Sequence, residues 1–359
     1  MQYCFEVTDV GIQWLCSSTI DNQEVHGGTG KCKSLEVLKV QNCCNVTKKG
    51  IQVALENLPL LKVLHHQLTF DVLVELAQKT VNQDVPNVPT FPLSVLRVYE
   101  QQLRDKEEYT IGSIGKALSL CPSLVRLDIR LVKEMTDSDL LGIINLKMLR
   151  ELVFYREKEV EIEVTFDGGV APLLIVIGSS LTYLMISCFS VVNFSTIIEY
   201  CPNLSYLTVC RHWNPIGPPP KLKQLFRTES RKEKFILSQL KMLHLEYHST
   251  ISSDIWLCLL SSPLLNHICI RHCDALTDDV FQNATKSGRF QNLEILNLIS
   301  CNSITYQGMD ALMTDANPLR LICTYNCENL TREDLNHLKI KYQDKKWAFT
   351  WHCNVMVLM

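Results

Sequence analysis

The stretch LEILNLISC, residues 293–301, decides the fold of this chain. Its leucines follow the frame L-x-x-L-x-L, and Cys301 stands three residues beyond the last of them. Thr305 follows four residues later and introduces the next segment. Three further copies of the frame, each with a cysteine at the same place, begin at Leu35, Leu265 and Leu319. The chain is therefore built from internal repeats.

The first residue of the frame recurs along almost the whole chain. Its mean spacing of about 28 residues lies within the range of leucine-rich repeats. The spacing predicts an array of about eleven such repeats. The positions are Leu35, Leu61, Leu93, Leu124, Leu149, Leu181, Leu204, Leu240, Leu265, Leu293 and Leu319.

Each repeat is predicted to contain one strand and one helix. The alternating L-x-L is typical of a short strand with one buried face, and the segment that begins with threonine is predicted as an outer helix. A single unit cannot bury its own leucine row, so the units must stack. We therefore predict an α/β leucine-rich-repeat solenoid with a curved parallel sheet inside and helices outside. Threonine side chains are expected to cap the helices at Thr47, Thr136, Thr277, Thr305 and Thr331.

Residues 1–359 are predicted to form a single solenoid that starts within a repeat, because Phe5–Ile12 resembles the tail of a repeat and its following helix. Irregular insertions are expected near 82–92, 158–175 and 213–237. The first carries three prolines, which forbid regular helix, the second a Gly-Gly pair, and the third a run of three prolines. Insertions in solenoids map to loops on one face, often the binding face. The alternative is that they are tolerated loops without a function.

Composition limits the classes of partner and the compartment. The net charge of −3 provides no general attraction to nucleic acid or anionic membrane. No secretory signal is visible and no apolar run approaches 18 residues. The sixteen cysteines include four at one repeat position, where small apolar side chains are expected in the core. We predict reduced thiols and a cytoplasmic or nuclear location, or both.

Two motifs suggest a phosphate-binding loop and a zinc site, but neither has the residues or the spacing that such a site requires. The loop GGTGKC, residues 27–32, lacks the first glycine and the hydroxyl that a phosphate loop requires. A zinc site is suggested by residue type at His267, Cys269, His272 and Cys273. In the strand register, however, His267 and Cys269 face outward whereas Cys273 turns inward, so they do not converge. We predict no catalytic residue, no metal and no cofactor.

The repeats resemble a known family. The cysteine beyond the last leucine, the threonine after it, and the C-P-x-L sequences at Cys121–Leu124 and Cys201–Leu204 resemble the cysteine-containing leucine-rich repeats of F-box/LRR proteins. Those proteins are the substrate receptors of SCF ubiquitin ligases, and the resemblance covers nearly the full length. It implies a protein substrate on the concave face and a role in protein degradation without catalysis. The chain has no L-P-x-E opening of an F-box, so an SCF adaptor and cullin are implied only if an F-box is encoded upstream of Met1.

The variable positions of the frame face the concave side and are predicted to bind a partner. Arginine and tyrosine are enriched at binding hot spots because each combines large contact area with a directional polar end. The alternative is that they are ordinary solvated strand residues, since tyrosine is common in strands. The predicted partner-binding residues are Arg97, Tyr99, Arg126, Arg130, Tyr155, Tyr183 and Tyr206.

Three functions compete on this evidence. The first is the substrate-recognition part of an F-box/LRR subunit of an SCF-type ubiquitin ligase. The second is an F-box-free interaction scaffold with no ligase link. The third is small-molecule sensing in the concave face, as in some plant F-box/LRR receptors, although no specific residue indicates it.

Overall fold

A computed structural model describes residues 4–16, 32–82, 88–98, 112–133, 135–155, 162–187, 189, 191–210, 237–248, 250–288, 290–313, 318–343 and 348–349. The chain divides into two compact units, Met1–Ser180 and Leu181–Met359. In both units short strands alternate with helices, and the described strands of each unit pair in parallel with their neighbours in sequence. The predicted α/β leucine-rich-repeat solenoid is confirmed as the fold class.

The first unit begins with helix α1 and continues as strand and helix repeats. Its described strands are β1 (Val37–Lys39), β2 (Val63–His65), β3 (Val95–Val98), β4 (Arg126–Arg130) and β5 (Glu151–Tyr155). Its helices are α1 (Asp9–Cys16), α2 (Lys48–Asn57), α3 (Thr69–Asn82), α4 (Ser113–Ser119), α5 (Asp137–Leu141) and α6 (Ala171–Ile177). Short 3-10 turns follow α5 and α6, at Gly142–Asn145 and Gly178–Ser180.

The second unit repeats the same pattern. Its described strands are β6 (Tyr183–Ser187), β7 (Tyr206–Cys210), β8 (Met242–Glu246), β9 (His267–Arg271), β10 (Ile295–Ile299), β11 (Leu321–Tyr325) and β12 (Ala348–Phe349). Its helices are α7 (Phe194–Tyr200), α8 (Ser253–Leu259), α9 (Asp278–Lys286), α10 (Tyr306–Leu312) and α11 (Arg332–Lys341). None of the described helices of either unit has the length and apolar character needed to cross a membrane.

The leucine row of the frame forms the core, as predicted. Ten of the eleven frame leucines are at most 1% exposed, and Leu35 alone is half-buried. Leu35 precedes β1, the first described strand, and among the described strands only β2 pairs with β1. The alternation of the frame therefore specifies both the strands and the face that each one buries.

The predicted insertions have different outcomes. Most of 213–237 lies outside the described residues, as do residues 83–87 of the first insertion. Residues 88–92 contain neither helix nor strand. Residues 158–161 of the second insertion also lie outside the described residues, and in the described remainder a π-type turn at Phe166–Val170 leads directly into α6. Pro172 is compatible with this helix because it stands in the first turn, where a backbone N–H has no helical acceptor.

All five predicted threonines occupy the N-cap position of a helix. The Thr47 and Thr305 hydroxyls accept hydrogen bonds from Lys49 N and Gln307 N at 3.2 and 3.1 Å. Thr331 forms a capping box with Asp334, whose carboxylate in turn accepts from Thr331 N at 2.9 Å. These bonds satisfy amides that have no acceptor within the helix, so the starts of α2, α10 and α11 are encoded locally, whereas Thr277 makes no such side-chain bond.

Successive helices are also joined at their N-termini by a three-residue contact that we call a rung. In one rung the Asp278 carboxylate accepts hydrogen bonds from Thr305 N at 2.9 Å and Thr305 Oγ1 at 2.5 Å. A Cβ atom at Gly308 would collide with the same carboxylate. Two other rungs have the same form and consist of Asp9, Thr47 and Gly50, and of Asp137, Thr165 and Gly168. Each rung thus requires an aspartate in one repeat and a glycine in the next.

The residue before each repeat cysteine adopts an unusual backbone conformation. Asn42, His272, Ser300 and Asn326 have φ between 50° and 60°, in the left-handed region, and each immediately precedes a buried cysteine. This conformation carries a strain of about 1 kcal/mol or more for a residue other than glycine. The turn directs the next thiol inward, and Cys301 Sγ donates to the carbonyls of Ile299 and Ile270 at 3.5 Å. The thiol thereby links the end of one strand to its neighbour.

The burial of these cysteines gives a prediction for thiol chemistry. Cys273 and Cys301 are fully buried, and burial raises the pKa of the Cys273 thiol to about 12. Because the thiolate is the reactive form, alkylation must await local opening of the repeat. We expect labelling of both residues to be at least about 100-fold slower than that of exposed Cys44, since opening requires roughly 3 kcal/mol. Time-resolved peptide mass spectrometry measures the rates, and similar rates for all three would contradict the buried assignment.

Candidate partner-binding surface

The variable positions of the strands lie on the sheet face opposite the buried leucines. In β4 and β5 the two end residues are half-buried and the frame residues are buried. The middle residues, Asp128 and Val153, share the face of the end residues by the two-residue period of a strand but are buried as well. Arg97, Arg126, Arg130 and Tyr155 belong to strands of the first unit, and Tyr183 and Tyr206 to strands of the second. Tyr99 lies outside the described residues.

In the first unit, charged residues of β3, β4 and β5 form a network. Arg97 Nε donates to Asp128 Oδ2 at 3.1 Å, and Arg126 Nε donates to Asp128 Oδ1 at 2.9 Å. Arg126 Nη1 also donates to Glu151 Oε2 at 2.8 Å. Because neighbouring parallel strands hold these residues close together, two guanidinium groups share one carboxylate. The predicted arginines are thus joined through acidic residues that the predicted set did not contain.

Asp128 is the central member of this charge network. Its side chain is only 9% exposed, so removal of the arginines would leave a carboxylate largely shielded from water. The two guanidinium groups are therefore engaged within the chain itself. A partner carboxylate would have to compete with Asp128 or use the remaining N–H groups. Truncating Arg126 is expected to affect stability as well as binding, which any binding experiment must separate.

Histidine 65 extends the row of side chains next to Arg97. Burial lowers the pKa of the His65 imidazole, and the positive charges of Arg97 and Lys39 lower it further. The imidazole is consequently neutral at physiological pH. A neutral ring beside the charge network offers a hydrogen-bonding group without adding to the positive charge of this face.

Arg130 and Tyr155 are Cα partners in the pairing of β4 with β5. Both side chains are half-buried, so each presents part of its surface to solvent. Their equal offset from the frame leucines, Leu124 and Leu149, accounts for this adjacency. The structure therefore brings these two predicted residues together, next to the charge network.

In the second unit the two predicted tyrosines form an aromatic pair. Tyr183 and Tyr206 are Cα partners, and their ring centroids are 6.1 Å apart with an interplanar angle of 37°. Tyr206 is 43% exposed although it lies within a paired strand. Met242 is the next Cα partner in the row. An exposed aromatic ring beside a second ring and a methionine provides apolar contact area together with phenolic hydroxyl groups.

The four residues that suggest zinc by type, at positions 267, 269, 272 and 273, lie where the strand register predicts. His267 and Cys269 are two residues apart in β9 and share a face. Cys273 is fully buried after the strand. His272, in the left-handed conformation, stacks its ring on that of Tyr247, with centroids 4.2 Å apart and an angle of 2°. Cys273 is buried away from the face that His267 and Cys269 share, and the four residues are not a group of converging ligand atoms among the described residues.

Asp128 is the central residue of the charge network, and sequence reasoning missed it. It lies between Arg126 and Arg130 in the strand sequence RLDIR, where two arginines alternate with one acidic residue. Residues two apart in a strand share a face, so the acidic residue between the two arginines was the available signal. The strand partner Glu151 supplies the second acidic group of the network.

Comparisons with known proteins bear on the fold. No protein-family model matches the sequence, and no curated protein matches it. Among solved structures 42 chains match. One of them belongs to the crystal structure of the Rad7 and Elc1 complex in yeast and is 15% identical, with a TM-score of 0.52 over 92% of this chain and 76% of that chain. At this identity the similarity concerns the fold alone, and it agrees with the α/β leucine-rich-repeat solenoid of this chain.

Proposed function

We propose that this chain is a protein-interaction module without catalytic activity, the substrate-recognition part of an F-box/LRR subunit of an SCF-type ubiquitin ligase. The observation that carries the interaction role is the Tyr183 and Tyr206 pair, which leaves aromatic surface exposed on a sheet face. Exposed aromatic groups on a rigid scaffold are frequent binding anchors. The ligase assignment is supported by the cysteine-containing repeat type, whose cysteines and threonines occupy buried and capping positions.

We assign the main binding role to the tyrosines and a secondary role to the arginines. Arg97 and Arg126 already bond to acidic residues, so a partner gains less from them than from side chains whose surface is exposed. Tyr155 and Arg130 extend the same face of the first unit. The proposed binding residues are Arg97, Tyr99, Arg126, Arg130, Tyr155, Tyr183 and Tyr206.

Removal of the aromatic pair is expected to weaken partner binding. Replacing Tyr183 and Tyr206 with alanine should lower affinity at least tenfold, because loss of a central aromatic anchor reduces binding by about 2 kcal/mol or more. The measurement is affinity capture from cell lysate with quantitative mass spectrometry, followed by titration of a captured partner. If the double variant captures the same partners in the same amounts as the wild-type chain, the proposed binding surface is wrong.

A matched control separates binding from folding. Tyr200→Ala removes the same residue type from the end of α7, in the same unit but on a helix. It should leave capture of the partners unchanged. Circular dichroism of both variants checks that the repeats remain folded. Equal loss of partners with both variants would indicate unfolding of the unit and not a binding surface.

The ligase role is tested separately from the binding role. Reading the coding sequence upstream of Met1 shows whether an F-box stands in frame with the repeats. Co-capture of a cullin adaptor with the protein that contains this F-box would support the substrate-receptor role. If no F-box is encoded and no adaptor is captured, the F-box-free scaffold remains as the function of the same surface.

A further inference from the structure

In the second unit, the sheet face opposite the buried leucines carries a mixed group of potential metal ligands on two neighbouring strands. We call this face the open face. Cys210 ends β7, and His244 and Glu246 lie on β8. The Cys210 sulfur, a nitrogen of His244 and a carboxylate oxygen of Glu246 all lie within 4.8 Å of one another. Cys210 is the Cα partner of Glu246, and His244 is two residues away on the same face. The strand pairing therefore holds the three side chains together.

We propose that Cys210, His244 and Glu246 bind a divalent transition metal ion of the Zn²⁺ class, with the fourth coordination position open to water. A thiolate, an imidazole and a carboxylate are each established Zn²⁺ ligands. Hard ions such as Mg²⁺ and Ca²⁺ prefer oxygen ligands, so a sulfur and a nitrogen in the same group select against them. Such a site adds a ligand-binding capacity that the proposed interaction role does not require.

The protonation and burial of His244 agree with a role as ligand. Its Nε2 atom is buried, and no hydrogen-bond partner reaches it within the described parts of the chain. Burial lowers the pKa of the imidazole, and the nearby Arg271 lowers it further. Metal binding requires an imidazole nitrogen with an available lone pair. A buried imidazole nitrogen without a partner is unfavourable by itself, and coordination would satisfy it.

The spacing of the three groups is close to that of a coordination sphere. Ligand atoms around a tetrahedral Zn²⁺ ion lie about 3.5 Å apart, given bond lengths of roughly 2.0 to 2.3 Å. The three ligand atoms lie within 4.8 Å of one another, and rotation about the side-chain bonds is the motion that would bring them to the tetrahedral distance. His244 and Glu246 are half-buried, so an ion can reach the group from the open face.

Two neighbours define the surroundings of the proposed site. Arg271 on β9 is the Cα partner of Glu246 and adds a positive charge. The thiolate and the carboxylate together compensate the two charges of the ion, so Arg271 can remain in place as a partner of the ligands. Cys269 is the Cα partner of His244 but does not belong to the group of converging atoms. It therefore provides a matched control cysteine on the same face.

The proposal is tested by titrating the purified full chain, freed of metal, with Zn²⁺ in competition with a chromophoric chelator. We expect the wild-type chain to bind one equivalent of Zn²⁺ tightly. Cys210→Ser and Glu246→Gln should each lower the affinity for Zn²⁺ at least about tenfold, since even outer-shell substitutions weaken metal sites by roughly that factor. Cys269→Ser should leave the affinity unchanged within about twofold. The chain has sixteen cysteines, and other thiols can also bind Zn²⁺. The test therefore compares the affinities of the variants and does not rely on the total amount of metal bound.

Co²⁺ provides an independent readout. Titration of the wild-type chain should produce a thiolate-to-Co²⁺ charge-transfer absorption that disappears in Cys210→Ser and persists in Cys269→Ser. Thermal unfolding without metal checks that each variant folds, and Glu246→Gln, which preserves side-chain shape, serves if Cys210→Ser is unstable. Wild-type affinity and absorption in both Cys210→Ser and Glu246→Gln would overturn the site. Loss of binding in Cys269→Ser would overturn the three-ligand assignment.

Discussion

Replacing Leu296 with aspartate is expected to lower the free energy of unfolding by about 4 kcal/mol, near the upper end of single substitutions. Leu296 is fully buried in β10, and its Cα partners on the two sides are Ile268 and Ile322. An aspartate would place a carboxylate in a row of apolar residues without a hydrogen-bond donor, which strongly disfavours the folded state. Urea denaturation of the full chain, followed by circular dichroism, measures the shift in midpoint.

The adjacent residue provides the control for this substitution. Asn297 lies next to Leu296 in the same strand, but on the opposite face, where it is half-buried. Asn297→Asp should change stability by less than about 0.5 kcal/mol, as is usual for surface substitutions. Equal destabilisation by the two aspartates would show that charge in the strand, and not burial of the leucine row, determines the result.

Replacing Gly308 with alanine is expected to destabilise the protein by about 2 kcal/mol, although alanine normally favours a helix by about 1 kcal/mol over glycine. The sign reverses because the new Cβ would collide with the Asp278 carboxylate, which is held by two hydrogen bonds to Thr305. Either the helix moves away or the carboxylate loses its bonds. Thermal unfolding of the variant and of the wild-type chain gives the difference.

Two further variants isolate the cause of this effect. Gly11 lies in α1 with no atom within 4 Å of a built Cβ, so Gly11→Ala should be neutral or stabilising. Combining Gly308→Ala with Asp278→Ala removes the colliding carboxylate, and the double variant should be at least about 1 kcal/mol more stable than the sum of the single effects. Strict additivity would contradict a direct collision between these two residues.

The sequence predicts the elements of this fold because their determinants are local. The leucine spacing predicts the strands and their buried face, and threonines such as Thr331 predict where helices begin. Equal offsets in neighbouring frames also predict that Tyr183 meets Tyr206, since parallel repeats pair in register. Features within one repeat, and contacts between equivalent positions of two repeats, can thus be predicted from the sequence alone.

Contacts that depend on side-chain torsions or on the local backbone could not be predicted in this way, even where two of the residues are Cα partners. The sharing of Asp128 by Arg97 and Arg126 depends on side-chain torsions that no spacing specifies. The left-handed backbone at His272 is uncommon for a residue other than glycine and belongs to the turn before Cys273. The convergence of thiol, imidazole and carboxylate on β7 and β8 joins residues on either side of the long segment 211–236.

The rungs also affect how this sequence can change over generations. A side chain at residue 308 would collide with the Asp278 carboxylate and would crowd the Asp278 Cα, so the aspartate and the glycine depend on each other. The two positions therefore form an epistatic pair, in which the first step away from the present combination is the disfavoured one. Because three rungs repeat the arrangement, the array contains several such interlocked pairs. Duplication of a repeat consequently preserves a rung only if the repeat that supplies the aspartate stays next to the repeat that supplies the glycine.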